Sequence, residues 1–226
     1  MSLSTLLVLA DGRLPSGGHA HSGGLEAAVA AGRVADVASL DGFLRGRLNT
    51  AGRVAAAFAA AACARTGEWS ALDAGMDART PSPALRAASR AQGRSLIRVA
   101  RRMWPLGSAA PDGPRALLEL IGREPHHAVA IGAVAAAAGL GSVEAAVAAA
   151  YGAVTAPASA AVRLLGLDPY AVHALLAALA PDCDRIAASA AERAFDPVDA
   201  LPAAGAPLLD IGAEVHATWE VRLFAS

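Results

Sequence analysis

The stretch PHHAVAIGAVAAAAGLGSVEAAVAAAYGAVTAPASAAV, residues 125–162, decides the fold class. It contains one acidic residue, Glu144, and neither arginine nor lysine. Alanine is the strongest helix former, and the β-branched residues here never alternate with polar ones as they do in a half-buried strand. The stretch therefore predicts apolar helices, separated first at Gly139 and Gly141 and again at Pro157.

A membrane span is the alternative for residues 125–162, because the stretch is long enough to cross a bilayer. Alanine and glycine contribute little transfer free energy, however, and Glu144 lies in the middle of the stretch. We favour a buried helical hairpin and expect no membrane association. Since small residues let helix backbones approach closely, the hairpin is also a candidate subunit interface.

The overall composition favours an all-α, cytoplasmic protein. The 226 residues include 19 basic residues, all arginine, and 20 acidic ones, and the net charge of −1 argues against a protein that mainly coats nucleic acid. Two cysteines, Cys63 and Cys183, cannot form a disulfide framework, which fits a reducing compartment. The amino terminus lacks the basic and long apolar regions of a signal peptide, so we expect no secretion.

Capping and breaking residues predict one domain, residues 1–226, with about ten helices. Gly32 should end one helix, and Asp168 with Pro169 should begin another. Pro157 and Pro181 are expected to separate helices. The predicted helical segments, which include a weaker one at 68–76 and a further turn at 158–165, are 4–10, 22–31, 36–48, 54–65, 68–76, 83–104, 114–121, 125–138, 143–154, 158–165, 170–179, 181–195 and 208–220.

Residues 196–226 are predicted to form a proline-rich linker followed by a partner-binding tail. The tail is unusually apolar for a chain end, which normally frays. Something should bury these side chains, and two alternatives stay open: docking on the tail's own domain, or ordering against a partner. The apolar tail residues are Leu208, Leu209, Ile211, Trp219, Leu223 and Phe224.

The loop PSGGHAHSGGLE, residues 15–26, has three interpretations. Its glycines expose amide groups that can bind an anion, but it lacks the Lys-Ser/Thr of a phosphate loop. His19 and His21 can present two imidazoles to one metal ion, but no third ligand is evident. We favour the third interpretation, a tight glycine loop whose histidines are exposed or contact a partner protein, and predict no resident metal site.

A second histidine pair, His126 and His127, follows Pro125 at a predicted helix start. A general base there would need a nearby nucleophile or orienting carboxylate, and the sequence assigns none. We expect one packed and one solvated histidine. A metallohydrolase built on His19, His21, His126 and His127 is the least favoured function.

Arginines recur at every fourth residue between 86 and 102 and form one stripe along a helix. The stripe can be a solvated face, can be neutralised by acids elsewhere, or can bind an acidic surface or nucleic acid. An all-α nucleic-acid-binding regulator is therefore the alternative function. Its arginines are Arg86, Arg90, Arg94, Arg98 and Arg102, with Arg101 beside them.

Four motifs, in order along the chain, resemble the urease accessory protein F family. Each motif alone is weak, but their order makes the resemblance specific. They are LPSGGHAHSGGLE at 14–26, HHAVAIG at 126–132, AAVRLLGLDPYAVHALL at 160–176, and a histidine at 216 six residues before RLFAS at 222–226.

The resemblance implies an all-α homodimer without catalysis of its own. Such proteins bridge urease accessory protein D (also called H), which meets apo-urease, and accessory protein G, a nickel-carrying GTPase. The assembly inserts nickel into urease and couples GTP hydrolysis to metal delivery. No cofactor is expected to bind stably: nickel passes through the complex, and the partner GTPase binds GTP. No nucleic acid is expected as a partner.

The resemblance also implies which residues contact partners. The position that is aromatic in the family is His19 here, and with Arg222 it is expected to help recruit the GTPase. The tail is expected to be ordered by the urease-binding partner. The candidate partner-binding residues are His19, His21, Ser22, Gly24, Leu25, Glu26, Arg163, His216, Arg222, Leu223, Phe224 and Ser226.

Overall fold

The computed structural model describes residues 3–103 and 118–225, and its regular structure there is entirely helical. The all-α prediction is therefore confirmed for these residues. Ten α-helices have both ends in the described ranges: α1 (Leu3–Ala10), α2 (Leu25–Ala30), α3 (Val37–Arg47), α4 (Arg53–Ala64), α5 (Trp69–Ala78), α6 (Pro83–Met103), α7 (His127–Ala137), α8 (Ser142–Leu165), α9 (Pro169–Glu192) and α10 (Pro207–Ala217).

Three predictions involve residues outside the described ranges. They are most of the helix predicted at 114–121, the end of α6 at Trp104, and the last residue, Ser226. Residues 118–120 are helical. A π-helical turn, Leu48–Gly52, joins α3 to α4, where two separate helices were predicted.

The alanine-rich stretch forms the predicted hairpin of α7 and α8. Gly139 (φ 74°) ends α7 in a left-handed conformation, and the Leu140 amide donates to the Ala135 carbonyl at 2.9 Å, as in a Schellman motif. Glu144 Oε2 accepts the Gly141 amide at 3.0 Å and so caps α8. The only acid of the stretch therefore begins a helix.

The core is built around α4, whose residues from Ala56 to Ala62 are all buried. One apolar cluster surrounds Phe58 and joins α4 to α5, α6 and α7. A second cluster surrounds Leu44 and joins α4 to α2, α3, α8 and α9. Cys63 and Cys183 are buried in these clusters, and burial raises the pKa of each thiol to about 11. Both therefore serve as packing residues of the core.

The prediction that Pro157 separates two helices is wrong, because α8 continues through it to Leu165. Proline has no amide hydrogen, so the Ala153 carbonyl, four residues earlier, loses its helical partner. Arg47 replaces that partner: its Nε donates to the Ala153 oxygen at 2.9 Å. A side chain from outside α8 thus supplies the hydrogen bond that the Ala153 carbonyl loses to Pro157.

The prediction that Pro181 begins a helix is also wrong, since α9 runs unbroken from Pro169 to Glu192. Pro181 lies on the exposed side of α9. Val172, Leu179 and Ile186 are buried on the other side and continue one apolar face past the proline. The start of α9 is as predicted, because Asp168 Oδ1 accepts the Tyr170 amide at 3.0 Å.

The proline-rich linker is fastened to the helical body by Arg79. Its Nη2 donates to the carbonyls of Val198 at 2.7 Å and Leu201 at 3.0 Å, and its Nε donates to Pro202 at 2.8 Å. The guanidinium carbon lies 5.0 Å from the centroid of the Phe58 ring. The linker therefore has a fixed path to α10.

In the described residues, one helix, α8, is long and apolar enough to span a membrane by length and composition. More than half of its most apolar window is buried within the protein. The same helix packs against α4, α7 and α9. Burial of this kind is typical of a core helix.

We predict that Gly132→Ala destabilises the protein by about 2 kcal/mol through overpacking. A Cβ at this position in α7 would lie 2.3 Å from the Ala59 carbonyl oxygen of α4. Gly152→Ala in α8 is the matched control, because nothing lies within 4 Å of its Cβ position. The control should be neutral or stabilise by up to about 1 kcal/mol. Urea unfolding measures both, and equal stability of the two variants would contradict the close approach of α4 and α7.

Candidate protein-binding site

A buried carboxylate joins the two ends of the chain. Glu26 accepts hydrogen bonds from Nε2 of His216 at 2.8 Å, from the Leu223 amide at 2.8 Å and from the Phe224 amide at 3.0 Å. Glu26 and His216 are both buried. We call this group of four residues the tail latch. Of the two alternatives for the tail, the structure shows docking on its own domain.

The glycine-rich loop positions Glu26 by means of two left-handed residues, Gly23 (φ 64°) and Gly24 (φ 90°). A Cβ at Gly24 would lie 3.0 Å from Cδ2 of Leu209, so the glycine also lets α10 approach the loop. Buried Ser22 accepts the Glu26 amide with Oγ at 3.2 Å. The residue after Gly24, Leu25, is fully buried and belongs to the core.

A second carboxylate holds the tail from the opposite direction. Glu214 of α10 accepts the Ser82 hydroxyl at 2.5 Å and the Ala84 amide at 2.9 Å. These donors lie at the amino-terminal end of α6, where unpaired amides and the helix dipole favour a negative charge. The body thus supplies the acid at one anchor of the tail, and the tail supplies the acid at the other.

Arg163 completes the docking of the chain end. Its guanidinium carbon lies 4.6 Å from the Phe224 ring centroid, and Nη1 donates to the His19 carbonyl at 3.3 Å. The Ala225 amide donates to the Ala20 carbonyl at 2.7 Å. Three of the four sequence motifs therefore meet at one place: the glycine-rich loop, the motif around Arg163 and the tail.

The outer side of the docked tail is exposed and partly apolar. Leu208, Ile211 and Val215 follow helical spacing on α10 and are 62%, 62% and 51% exposed. Arg222 is exposed and lines a small cleft together with His21. Leu223 is also more than half exposed. The tail thus uses one side for its own domain and presents the other to solvent.

Hydrogen bonds keep both anchor carboxylates ionised. Burial would raise the pKa of Glu26, but the hydrogen bonds from Leu223, His216 and Phe224 lower it overall. The pKa of Glu214 is lowered by the Ser82 hydroxyl and the Ala84 amide. Both acids are therefore charged at neutral pH, where they accept these hydrogen bonds best.

The remaining sequence motif, HHAVAIG at residues 126–132, lies close to the glycine-rich loop at His127. This residue and His21 line a cavity of about 620 Å³ between the loop, α6, α7 and α8. Burial, together with the charge of His21, lowers the pKa of His127 to about 4. Burial and the charge of His19 lower the pKa of His21. His127 and His21 are therefore neutral at pH 7.

His126 is separated from the other histidines by its own hydrogen bonds. It is fully buried, with Nε2 2.9 Å from Asp77 Oδ1 and Nδ1 3.0 Å from the Ser89 hydroxyl. It is thus the packed member of the pair, and it joins α5 to α6. In the described ranges, no three His, Cys, Asp or Glu side chains are grouped as metal ligands. The described residues therefore do not bring all four histidines together at one site.

Two arginines of the α6 stripe, Arg90 and Arg94, are neutralised by ion pairs within the protein. Arg90 pairs with Asp73 at 2.9 Å and Asp77 at 2.6 Å, and Arg94 pairs with Glu124 at 2.7 Å. Arg86 and Arg101 donate to backbone carbonyls. Of the three interpretations of the stripe, neutralisation by acids elsewhere describes Arg90 and Arg94. The stripe therefore gives little support to nucleic-acid binding.

Comparison with known proteins shows the family of the chain. The UreF family model matches residues 34–180. The chain belongs to the UreF family. A urease accessory protein UreF of Mycobacterium sp. (strain JLS) is 49% identical over 225 residues, which cover 100% of this chain and 99% of the relative. The UreF of Mycolicibacterium vanbaalenii is 49% identical, and that of Mycobacterium tuberculosis (strain H37Rv) is 44% identical. Each match covers 100% of this chain and 99% of the relative.

The family model ends before the tail and begins after the glycine-rich loop, whereas the full-length UreF relatives cover both. Several contacts of the site were not predicted from sequence. Glu214, Ser82 and Leu209 hold the tail, and Arg47 lies beside the loop. Their partners are far away in sequence, so no local pattern indicates them.

We predict that Glu26→Gln loosens the tail without unfolding the body. Hydrogen bonds to a charged acceptor stabilise by about 2 kcal/mol, so exchange of the Leu223 and Phe224 amides should accelerate roughly 30-fold. Hydrogen–deuterium exchange measures this change. Glu192→Gln, at an exposed position of α9, is the control and should leave exchange unchanged. Unchanged protection in Glu26→Gln would show that the carboxylate does not hold the tail.

Acid should release the tail. Because the pKa values of Glu26 and Glu214 are lowered in the docked state, the stabilisation they contribute is complete above the ordinary value of 4.5. It is lost as the pH falls through the lowered values. Asp210, whose pKa is raised by burial, acts in the opposite direction and offsets part of the loss. Limited proteolysis between pH 7 and 3 with an acid-active protease should show increasing cleavage in the tail, and constant cleavage would contradict the two-carboxylate attachment.

Proposed function

We propose that this UreF-family protein is a non-catalytic scaffold in urease maturation. It bridges the urease-binding accessory protein, D or H, and the nickel-carrying GTPase, accessory protein G. In this role it is needed for nickel insertion into apo-urease and for coupling GTP hydrolysis to metal delivery. Nickel is cargo that passes through the complex, GTP binds to the partner, and no cofactor is held stably by this chain.

The observation that carries the proposal is the convergence of the family motifs on one surface. The loop with His19 and His21, the Arg163 motif and the Arg222–Phe224 tail are far apart in sequence and meet at the tail latch. The motifs meet where the two ends of the chain come together, and part of each is exposed. Such an arrangement supports a role in contacting other proteins. The buried part of the set, Glu26 and His216, holds the exposed part in place.

The exposed features support two docking surfaces. The apolar stripe Leu208, Ile211 and Val215 fits the urease-binding partner, because helical anchors at this spacing are a common mode of helix recognition. Arg222, beside His21, fits the GTPase. We further propose that the protein acts as a homodimer in the cytoplasm, without nucleic-acid or membrane partners. Light scattering of the purified chain tests the dimer.

We predict that Arg222→Ala weakens recruitment of the GTPase at least tenfold while the melting temperature stays the same. The side chain is exposed and forms no side-chain hydrogen bond with the described residues, so its loss should cost the fold little. Pull-down with purified accessory protein G measures the recruitment. Arg185→Ala on α9, exposed and distant in sequence from the loop and tail, is the control. A large loss of thermal stability would instead assign Arg222 a structural role.

A truncation that removes residues 208–226 tests the whole proposal. It should abolish urease activation in a host that supplies the other accessory proteins. Because the latch also buries Phe224, circular dichroism must first show that the truncated body is folded. Full urease activation by a folded truncation would contradict the scaffold role of the tail.

A further inference from the structure

Three arginines, Arg47, Arg79 and Arg163, line the 620 Å³ cavity beneath the glycine-rich loop. Two of them are already occupied by the chain's own atoms. Arg79 donates to the linker carbonyls and lies over Phe58, while Arg163 donates to His19 and lies over Phe224. Arg47 differs from both.

Arg47 donates only from Nε, to the Ala153 carbonyl that Pro157 leaves without a helical partner. Within the described ranges, its two terminal nitrogens have no hydrogen-bond acceptor, and no carboxylate forms an ion pair with the side chain. Gly23 lies against the same guanidinium, since a Cβ on that residue would be 3.1 Å from Cζ and Nη2. One hydrogen bond and one close backbone contact therefore fix the orientation of a group that still has donors to offer.

Among the described residues, no acid compensates the charge of Arg47. Burial lowers the pKa of Arg47 to about 10, so the side chain is still cationic at pH 7. The neighbouring imidazoles of His21 and His127 are neutral there and cannot balance it. The His127 ring has no side-chain hydrogen bond within residues 3–103 and 118–225. The acids that line the cavity, Asp11 and Asp210, do not pair with Arg47.

We propose that this cavity binds a small oxyanion, a phosphate or carboxylate group, with Arg47 as its anchor. The two free ends of a guanidinium form a planar fork that matches two oxygens of such a group. A partly buried cation without a partner favours a bound anion, because the pair costs less to bury than the single charge. His127 contributes a neutral imidazole as a further hydrogen-bonding group. The volume is in the range of small-molecule sites, so the oxyanion can be part of a larger ligand.

The test is calorimetric titration of the full-length chain with inorganic phosphate and, separately, with acetate, at pH 7 and constant ionic strength. We expect saturable binding of at least one anion with a Kd of about 1 mM or tighter. Tighter binding of phosphate assigns the site to phosphate groups, and tighter binding of acetate assigns it to carboxylates. Arg47→Gln should weaken the binding at least tenfold. Arg98→Gln, at an exposed position of the α6 stripe, is the control and should bind like the unmodified protein.

The melting temperature of the Arg47 variants distinguishes a structural role of this side chain from a role in anion binding. If the arginine serves mainly to bind an anion, Arg47→Gln should melt within a few degrees of the unmodified protein in anion-free buffer, and phosphate or acetate should raise the melting temperature of the unmodified protein alone. If Arg47→Gln does not fold, Arg47→Lys keeps the charge without the fork and should still bind more weakly. Absence of saturable binding by the unmodified protein up to about 10 mM of either anion, or equal binding by the arginine variants, would overturn the proposal.

Discussion

The structure depends on the buried carboxylate of Glu26 and its three hydrogen bonds from the tail. An ionised group away from water is costly unless donors surround it. The donors come from His216 and from two amides almost 200 residues away along the chain. The glycine-rich loop and the tail therefore form one unit, because undocking the tail would leave a charge without partners until water reached it.

The body beneath this unit is stabilised by the close approach of small residues. An alanine core buries little apolar area per residue, so its helices must lie close together to fill space at normal density. Gly132 and Gly93 allow that approach, since a Cβ on either would clash with a backbone carbonyl of another segment. Large apolar side chains are nevertheless exposed in the described residues, both on the tail and elsewhere, as at Tyr170 and Phe195.

The sequence predicted helix ends that depend only on residues close together in the chain. Gly32 (φ 68°) and Gly139 end helices in the left-handed conformation, and Asp168 begins α9, because each of these effects spans only a few residues. The helical conformation of the alanine-rich stretch follows in the same way from helix propensity and periodicity. Pro157 was misjudged because its repair comes from Arg47, more than 100 residues away. The anchors Ser82 and Glu214 were missed for the same reason, whereas the loop and the tail were identified by motif resemblance and then brought together by the fold.

The two faces of α10 explain how a docked tail can still bind a partner protein. Gly212, Ala213 and His216 face the body, and a Cβ added at Gly212 would lie 3.4 Å from Cβ of Ala27. Leu208, Ile211 and Val215 face solvent. A helix that binds its own domain through one side can receive a second protein on the other, and the ordering entropy of the tail has then already been lost before the partner arrives. A partner that binds this outer face therefore needs no donors to replace those of Glu26, because the latch stays closed beneath it.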